Sequence, residues 1–186
     1  MNALDLMLSR ESALKLESPG PSADELQQMF ASAVRSPDHG RLRPWHFVVI
    51  DEDRRAAFGT LMADSLRRRV PTVSDAELQR ERDKAFRSPV IVAVAAKVKR
   101  GHKIPEIEQI ASASAAAQTI MLAAPALGYG AVWKTGAAAY DPTVKMALGL
   151  DAEDDIIGFL YIGTRAGGSS PIARPEAKDF VTTWAG

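Results

Sequence analysis

Four side chains able to carry positive charge, Arg35, His39, Arg41 and Arg43, fall within nine residues. Guanidinium groups bind phosphate and carboxylate through bidentate, charge-assisted hydrogen bonds, so such a cluster suits an anionic ligand. Pro37 excludes the helical conformation at Ser36, and Asp38, His39 and Gly40 are turn formers, which makes the stretch a cationic loop. The run from Trp45 to Ile50 is almost wholly apolar and half β-branched, the composition of a strand buried on both faces. The expectation is charge held at the mouth of a buried sheet. The same residues also permit solvated arginines, a packed Trp45 and a His39 that only caps its turn.

Other chemistries find little support. Gly128 and Gly130 follow a helical stretch and precede a strand, with Trp133 where a dinucleotide fingerprint needs its third glycine. No phosphate-cradling Gly-x-x-x-x-Gly-Lys-Ser occurs. The three histidines, His39, His46 and His102, lack zinc-protease spacing, and His46 reads as a packed strand residue. Ser169 and Ser170 sit in a Gly/Ser/Pro-rich tail, not on the strand-to-helix elbow of a serine hydrolase. With no cysteine there is no disulfide, thiolate or zinc ribbon, and a reducing compartment is expected. No metal is expected. The 23 basic and 23 acidic residues cancel, against the basic excess of a nucleic-acid binder. The N-terminus has neither the basic start nor the apolar stretch of a signal peptide, and the apolar run from Pro89 to Ala96 is too short to span a bilayer. These readings predict a cytoplasmic protein with no membrane and no nucleic-acid partner, its harder chemistry supplied by an organic cofactor.

At 186 residues the chain can bury roughly 70% of its unfolded surface in a single domain spanning 1–186. Leu4, Met7 and Leu8 predict a short first helix. Ser22 with Glu25 forms a capping box opening a helix to Ser36, with Leu26, Met29, Phe30 and Ala33 on its buried stripe. Phe58, Leu61, Met62 and Leu66 mark a helix closed by Arg67 to Arg69, and Ser74 with Glu77 caps a polar, peripheral one. Val90 to Val98 is a second core strand. The longest helix spans about Pro105 to Leu127, so rich in alanine and serine that neighbours must approach closely, with Pro125 loosening its last turn. Ala131 to Trp133 reads as a short strand, Asp141 and Pro142 open a two-turn helix ended by Gly149, and Ile156 to Gly163 is a third strand. The tail ends in the strand-like, apolar Phe180 to Trp184, suited to docking on another subunit.

Four stretches, in this order, together resemble the nitroreductase family of FMN-dependent oxidoreductases, and most closely its small single-domain NAD(P)H nitroreductases. They are Arg10-Glu11-Ser12; Arg35 to His39 leading into Arg43-Pro-Trp-His-Phe-Val-Val; Leu127 to Trp133; and Asp155 to Thr164. Arg41 stands where the family usually has an asparagine facing the flavin pyrimidine, Arg43 replaces the usual glutamine, and Leu14 occupies a place often held by a basic residue, with Lys15 beside it. The resemblance implies an α+β fold, a mainly antiparallel central sheet flanked by helices, in an intertwined homodimer with FMN at each end of the interface. It implies that Arg10, Glu11 and Ser12 meet the phosphate and ribityl chain, that Arg35, His39 and Arg41 reach the same cofactor, and that Ala131, Val132 and Trp133 approach the isoalloxazine. Met121, Leu122, Ala123, Ala124, Pro125 and Ala126 would line the approach of NADH or NADPH, although on the bare sequence they read as a packed helix.

The implied activity is reduction of nitro-aromatic or quinone-like small-molecule acceptors by ping-pong hydride transfer through the flavin N5, with no catalytic side chain. Alternatives are a same-fold flavin enzyme of other chemistry, such as reductive dehalogenation, and a non-catalytic flavin-binding module for sensing or storage.

Overall fold

The computed structural model describes residues 2–168 and 173–186; Ser169 and Ser170 lie outside the described residues. Among the described residues the α-helices are α1 (Ala3–Ser9), α2 (Ala23–Ala33), α3 (Arg55–Arg69), α4 (Asp75–Asp83), α5 (Glu106–Ala126) and α6 (Pro142–Ala147). The strands among the described residues are β1 (Leu16–Glu17), β2 (Trp45–Ile50), β3 (Val90–Ala96), β4 (Gly130–Lys134) and β5 (Asp155–Arg165). Every pairing is antiparallel. Residues 159–162 of β5 pair with both β3 and β4, so these strands flank it and the order across the sheet is β4-β5-β3-β2. β1 pairs only with the last two residues of β5.

Hydrophobic cores cover both faces. On one, Met29 and Ala33 of α2 and Ala117, Ile120 and Ala124 of α5 pack on Val92, Val94, Leu160 and Ile162, and Phe30 stacks on Phe47 at 5.3 Å. On the other, Phe58 and Met62 of α3 and Val144 of α6 pack on Ile91, Phe159 and Tyr161. The small residues of α5 let it lie close to both α2 and the sheet, the packing their composition predicts.

Both expected capping boxes form, at Ser22 with Glu25 and at Ser74 with Glu77. A third, Asn2 with Asp5, opens α1. Three expectations are corrected. β2 is not buried on both faces: it is an edge strand paired only with β3, and Val49 is 40% exposed. α2 stops at Ala33, because the following turn is tied to α5, Ser36 Oγ lying 3.2 Å from Thr119 Oγ1 and the Ser112 hydroxyl donating to the Pro37 carbonyl at 2.7 Å. The tip Phe180 to Trp184 is not a strand; a short 3₁₀ turn, Ala177–Phe180, precedes it, and Trp184 is 91% exposed.

Candidate active site

The segment Arg10 to Leu16 runs beside the free edge of β4. The Ala13 N–H donates to the Ala131 carbonyl at 2.9 Å, and Arg165, at the end of β5, forms an ion pair with Glu11. Arg174 of the tail donates to the Arg10 carbonyl at 2.7 Å. The segment passes close over Gly130: a Cβ there would lie 2.8 Å from Leu16 Cδ2 and 3.1 Å from Ala13 Cβ, so the leucine would have to shift. Between segment and strand lies a cavity of about 420 Å³ lined by Leu14, Lys15, Leu16, Phe86, Arg87, Val132 and Lys134 among others. Its apolar walls include the exposed side chains of Leu14 and Phe86, and three of its lining residues are cations. A cavity of this size with exposed apolar walls and basic groups fits a flat aromatic ring carrying an anionic tail.

The wall is anchored from the far face. Arg55 is nearly buried; its guanidinium donates to the Ser88 carbonyl at 3.0 Å and to Glu52 at 2.8 Å, and lies 5.5 Å from the Phe86 ring centre. Phe86 and Arg87 are thereby held between α4 and the start of β3.

The expected residues fall into two separate groups. Arg10, Glu11, Ser12, Ala131 and Val132 gather at the β4 edge. Trp133 points to the opposite face of the strand from Val132. Its indole donates to the Ile157 carbonyl at 3.3 Å, and it lines a second cavity with Ile110, Ser114 and Tyr140. Arg35, His39 and Arg41 belong to the loop leading into β2, at the other edge of the sheet. His39 Nδ1 lies 2.5 Å from Glu108 of α5.

That loop is a tight one. Gly40, Arg41 and Arg43 all have positive φ, at 69°, 55° and 52°. Two arginines in the left-handed region cost of order 1 kcal/mol each or more, and such strain collects at functional sites. The Asp38 carboxylate holds the turn by accepting from the Leu42 N–H at 3.1 Å and the Arg43 N–H at 2.8 Å.

Two strands lie between the edges, a gap of about 14 Å across the sheet. The groups also sit at opposite ends of the strands: Trp45 is level with Ala96 and Asp155, whereas Gly130 is level with Gly163. One copy of the chain does not bring both groups onto one small ligand. Of the helical residues expected near a nicotinamide, Met121 and Ala124 are buried in the α2–α5 core, leaving Leu122, Ala123, Pro125 and Ala126 at least partly accessible. Asp38 fills the turn role its type suggests, whereas Phe86, Arg87, Lys134, Arg165 and Glu108 are not marked as site residues by any sequence signal. Phe86 and Arg87 immediately precede a buried strand and Arg165 ends one, a position from which a charge faces the sheet's rim.

Among the described residues no group of acids, histidines or cysteines could hold a metal ion, and no helix is long and apolar enough to cross a membrane.

The fold is α+β, an antiparallel sheet flanked by helices, with a basic, apolar-walled cavity at one edge of the sheet. The chain belongs to the nitroreductase family, whose model matches residues 8–164. It is 37% identical over 184 residues to the Escherichia coli K12 protein named "Putative NAD(P)H nitroreductase YdjA", covering 98% of this chain and 99% of that one. Its fold superposes on a nitroreductase-like family protein from Bacillus cereus with a TM-score of 0.85 at 21% identity, covering 100% and 97% of the two chains. A nitroreductase with bound FMN from Bacteroides fragilis gives 0.73 at 17% identity, covering 99% and 100%.

Proposed function

We propose that the chain is an FMN-dependent NAD(P)H oxidoreductase that reduces nitro-aromatic or quinone-like acceptors, acting as a cytoplasmic homodimer. The observation that carries this is the basic, apolar-walled cavity at the β4 edge; the second basic group, Arg35, His39 and Arg41, lies too far away on the same copy to reach it, which supports a site shared with a second copy. Bound FMN supplies the hydride chemistry between nicotinamide donor and acceptor.

The chain's own residues hold and orient the cofactor. Arg10 and Ser12 serve the phosphate and ribityl chain, with Arg165 kept in place by Glu11. Leu14, Phe86 and Val132 cover the ring with apolar surface and exclude water from it. Lys15, Arg87 and Lys134 lend positive charge, which favours an anionic reduced ring as preorganised charge favours any developing anion. Arg35, His39 and Arg41 of a second copy complete the site. In this reading Trp133 acts through the backbone of β4, since its indole is engaged elsewhere. No side chain need act as an acid or base, because hydride chemistry belongs to the cofactor.

The test is anaerobic. Purified protein should be yellow after desalting, bleach with NADH or NADPH, and give parallel double-reciprocal plots with a nitro-aromatic or quinone acceptor. Colourless protein that does not take up FMN, or intersecting plots, would overturn the reading.

A further inference from the structure

A smaller chamber of about 240 Å³ opens beside the cavity assigned to FMN and shares Arg87 and Lys134 with it. It lies between the C-terminal end of α3, the end of α4, and the loop after β4. Its lining brings together Arg69, Lys84, Arg87 and Lys134, one carboxylate, Glu81, and the side chain of Tyr161. Glu81 is spent on Lys84, with which it forms an ion pair, so the remaining cations are uncompensated within the chamber.

Tyr161 is 2% exposed, in the middle of β5. Its hydroxyl bonds to no side chain or backbone group among the described residues and is not sealed off from solvent, which leaves it a donor open to the chamber that Tyr161 lines. Burial raises the phenol to about 12, with Arg87 acting to lower it and Glu81 to raise it. The group is therefore a neutral O–H donor near neutral pH, within the field of Arg87. An open O–H donor beside Arg69, Arg87 and Lys134 is a donor set that suits an anion.

We propose that this chamber binds the carboxylate of the acceptor, so that the enzyme prefers aromatic acceptors bearing a carboxylate over their neutral counterparts. The inference rests on the FMN assignment of the neighbouring cavity. Because Arg87 and Lys134 line both spaces, an anion in the chamber adjoins the ring-binding walls, as a substituent on the ring being reduced would. The phosphates of a nicotinamide dinucleotide lie several bonds from its reactive ring, and a chamber this small and this near admits a single carboxylate more readily than a pyrophosphate.

The experiment compares wild type with Tyr161→Phe and Arg69→Gln, two residues that line the chamber and not the larger cavity. In the FMN-loaded enzyme, both variants should raise KM for nitrobenzoate about five- to tenfold, the effect of one lost hydrogen bond or ion contact, and leave kcat/KM for nitrobenzene unchanged. A second readout needs no turnover: calorimetric titration with benzoate should show binding to wild type, with or without FMN, that benzamide does not match and that either variant weakens by a similar factor. Benzoate bound no better than benzamide, or bound equally by wild type and both variants, overturns the proposal while leaving the reductase reading intact. A protein that binds benzoate selectively yet never retains flavin keeps the anion chamber and overturns the reductase reading instead.

Discussion

Arg10 and Arg35 bring guanidinium groups to the proposed site from its two ends, one beside β4 and the other from the loop before β2. Replacing either by alanine should weaken FMN retention roughly ten- to a hundredfold, because one charge-assisted hydrogen bond is worth about 1.5–3 kcal/mol. Both positions are outside the cores, so circular dichroism and the urea midpoint of the flavin-free protein should not change; wild-type FMN affinity in both variants would remove them from the site. A different carboxylate governs acid stability. Burial raises the pKa of Asp141, but the neighbouring Ser65 hydroxyl, the Thr143 N–H at 2.8 Å and the Arg68 guanidinium at 3.0 Å outweigh it and bring the group from 3.8 to about 2. A folded-state value below the unfolded one stabilises above about pH 4 and loses that contribution as pH falls towards 2. Asp141→Asn should therefore cost on the order of 1–2 kcal/mol near neutrality and nothing near pH 2. Urea midpoints that differ equally at both pH values would contradict this assignment.

At the scale of elements, β4 is held to β5 by a contact that admits no side chain at Gly158. A Cβ there would lie 2.2 Å from Trp133 Nε1 and 3.0 Å from the Lys134 carbonyl. Gly158→Ala should expel the indole from its bond to Ile157, lower stability by about 1–3 kcal/mol through overpacking, and loosen FMN by shifting Val132. An unchanged urea midpoint would mean that the strand yields without cost. Helices, caps and strands were legible in the sequence because their signals are local: Ser22 with Glu25, Asp141 before Pro142, and the 3.6-residue stripe of α2 involve neighbours a few positions apart. The edge position of β2 was not legible, since Trp45 to Ile50 reads as apolar whether it has one neighbouring strand or two. The pairing of Glu11 with Arg165 and the approach of Arg87 to Val132 depend on how the sheet closes. The Arg10 to Ser12 and Ala131 to Trp133 stretches were legible as a site only through resemblance; nothing in their spacing sends Val132 and Trp133 to different tasks, although strand alternation does so once the register is known.

For the whole molecule, the opposite placement of the two basic groups means that the proposed FMN site, if it uses both, belongs to a pair of subunits. Mixing Arg10→Ala and Arg35→Ala subunits should restore what neither homodimer has, since half of the mixed dimers are heterodimers and each contains one site with both arginines intact. Unfolding and refolding the two together should recover about a quarter of wild-type flavin sites. No recovery would mean that both arginines serve one subunit's cavity. The surface agrees with pairing: Leu4, Met7 and Leu8 on α1, Leu14, and Phe180, Val181 and Trp184 in the tail are all exposed on a single copy. α1 itself buries no residue against its own chain and depends locally on the Asn2–Asp5 box. A seven-residue helix that touches α5 only lightly has little tertiary support of its own. If the proposed second copy docks over this helix, α1 gains there the cover its own chain does not give, and limited proteolysis within residues 3–9 should slow as subunits pair.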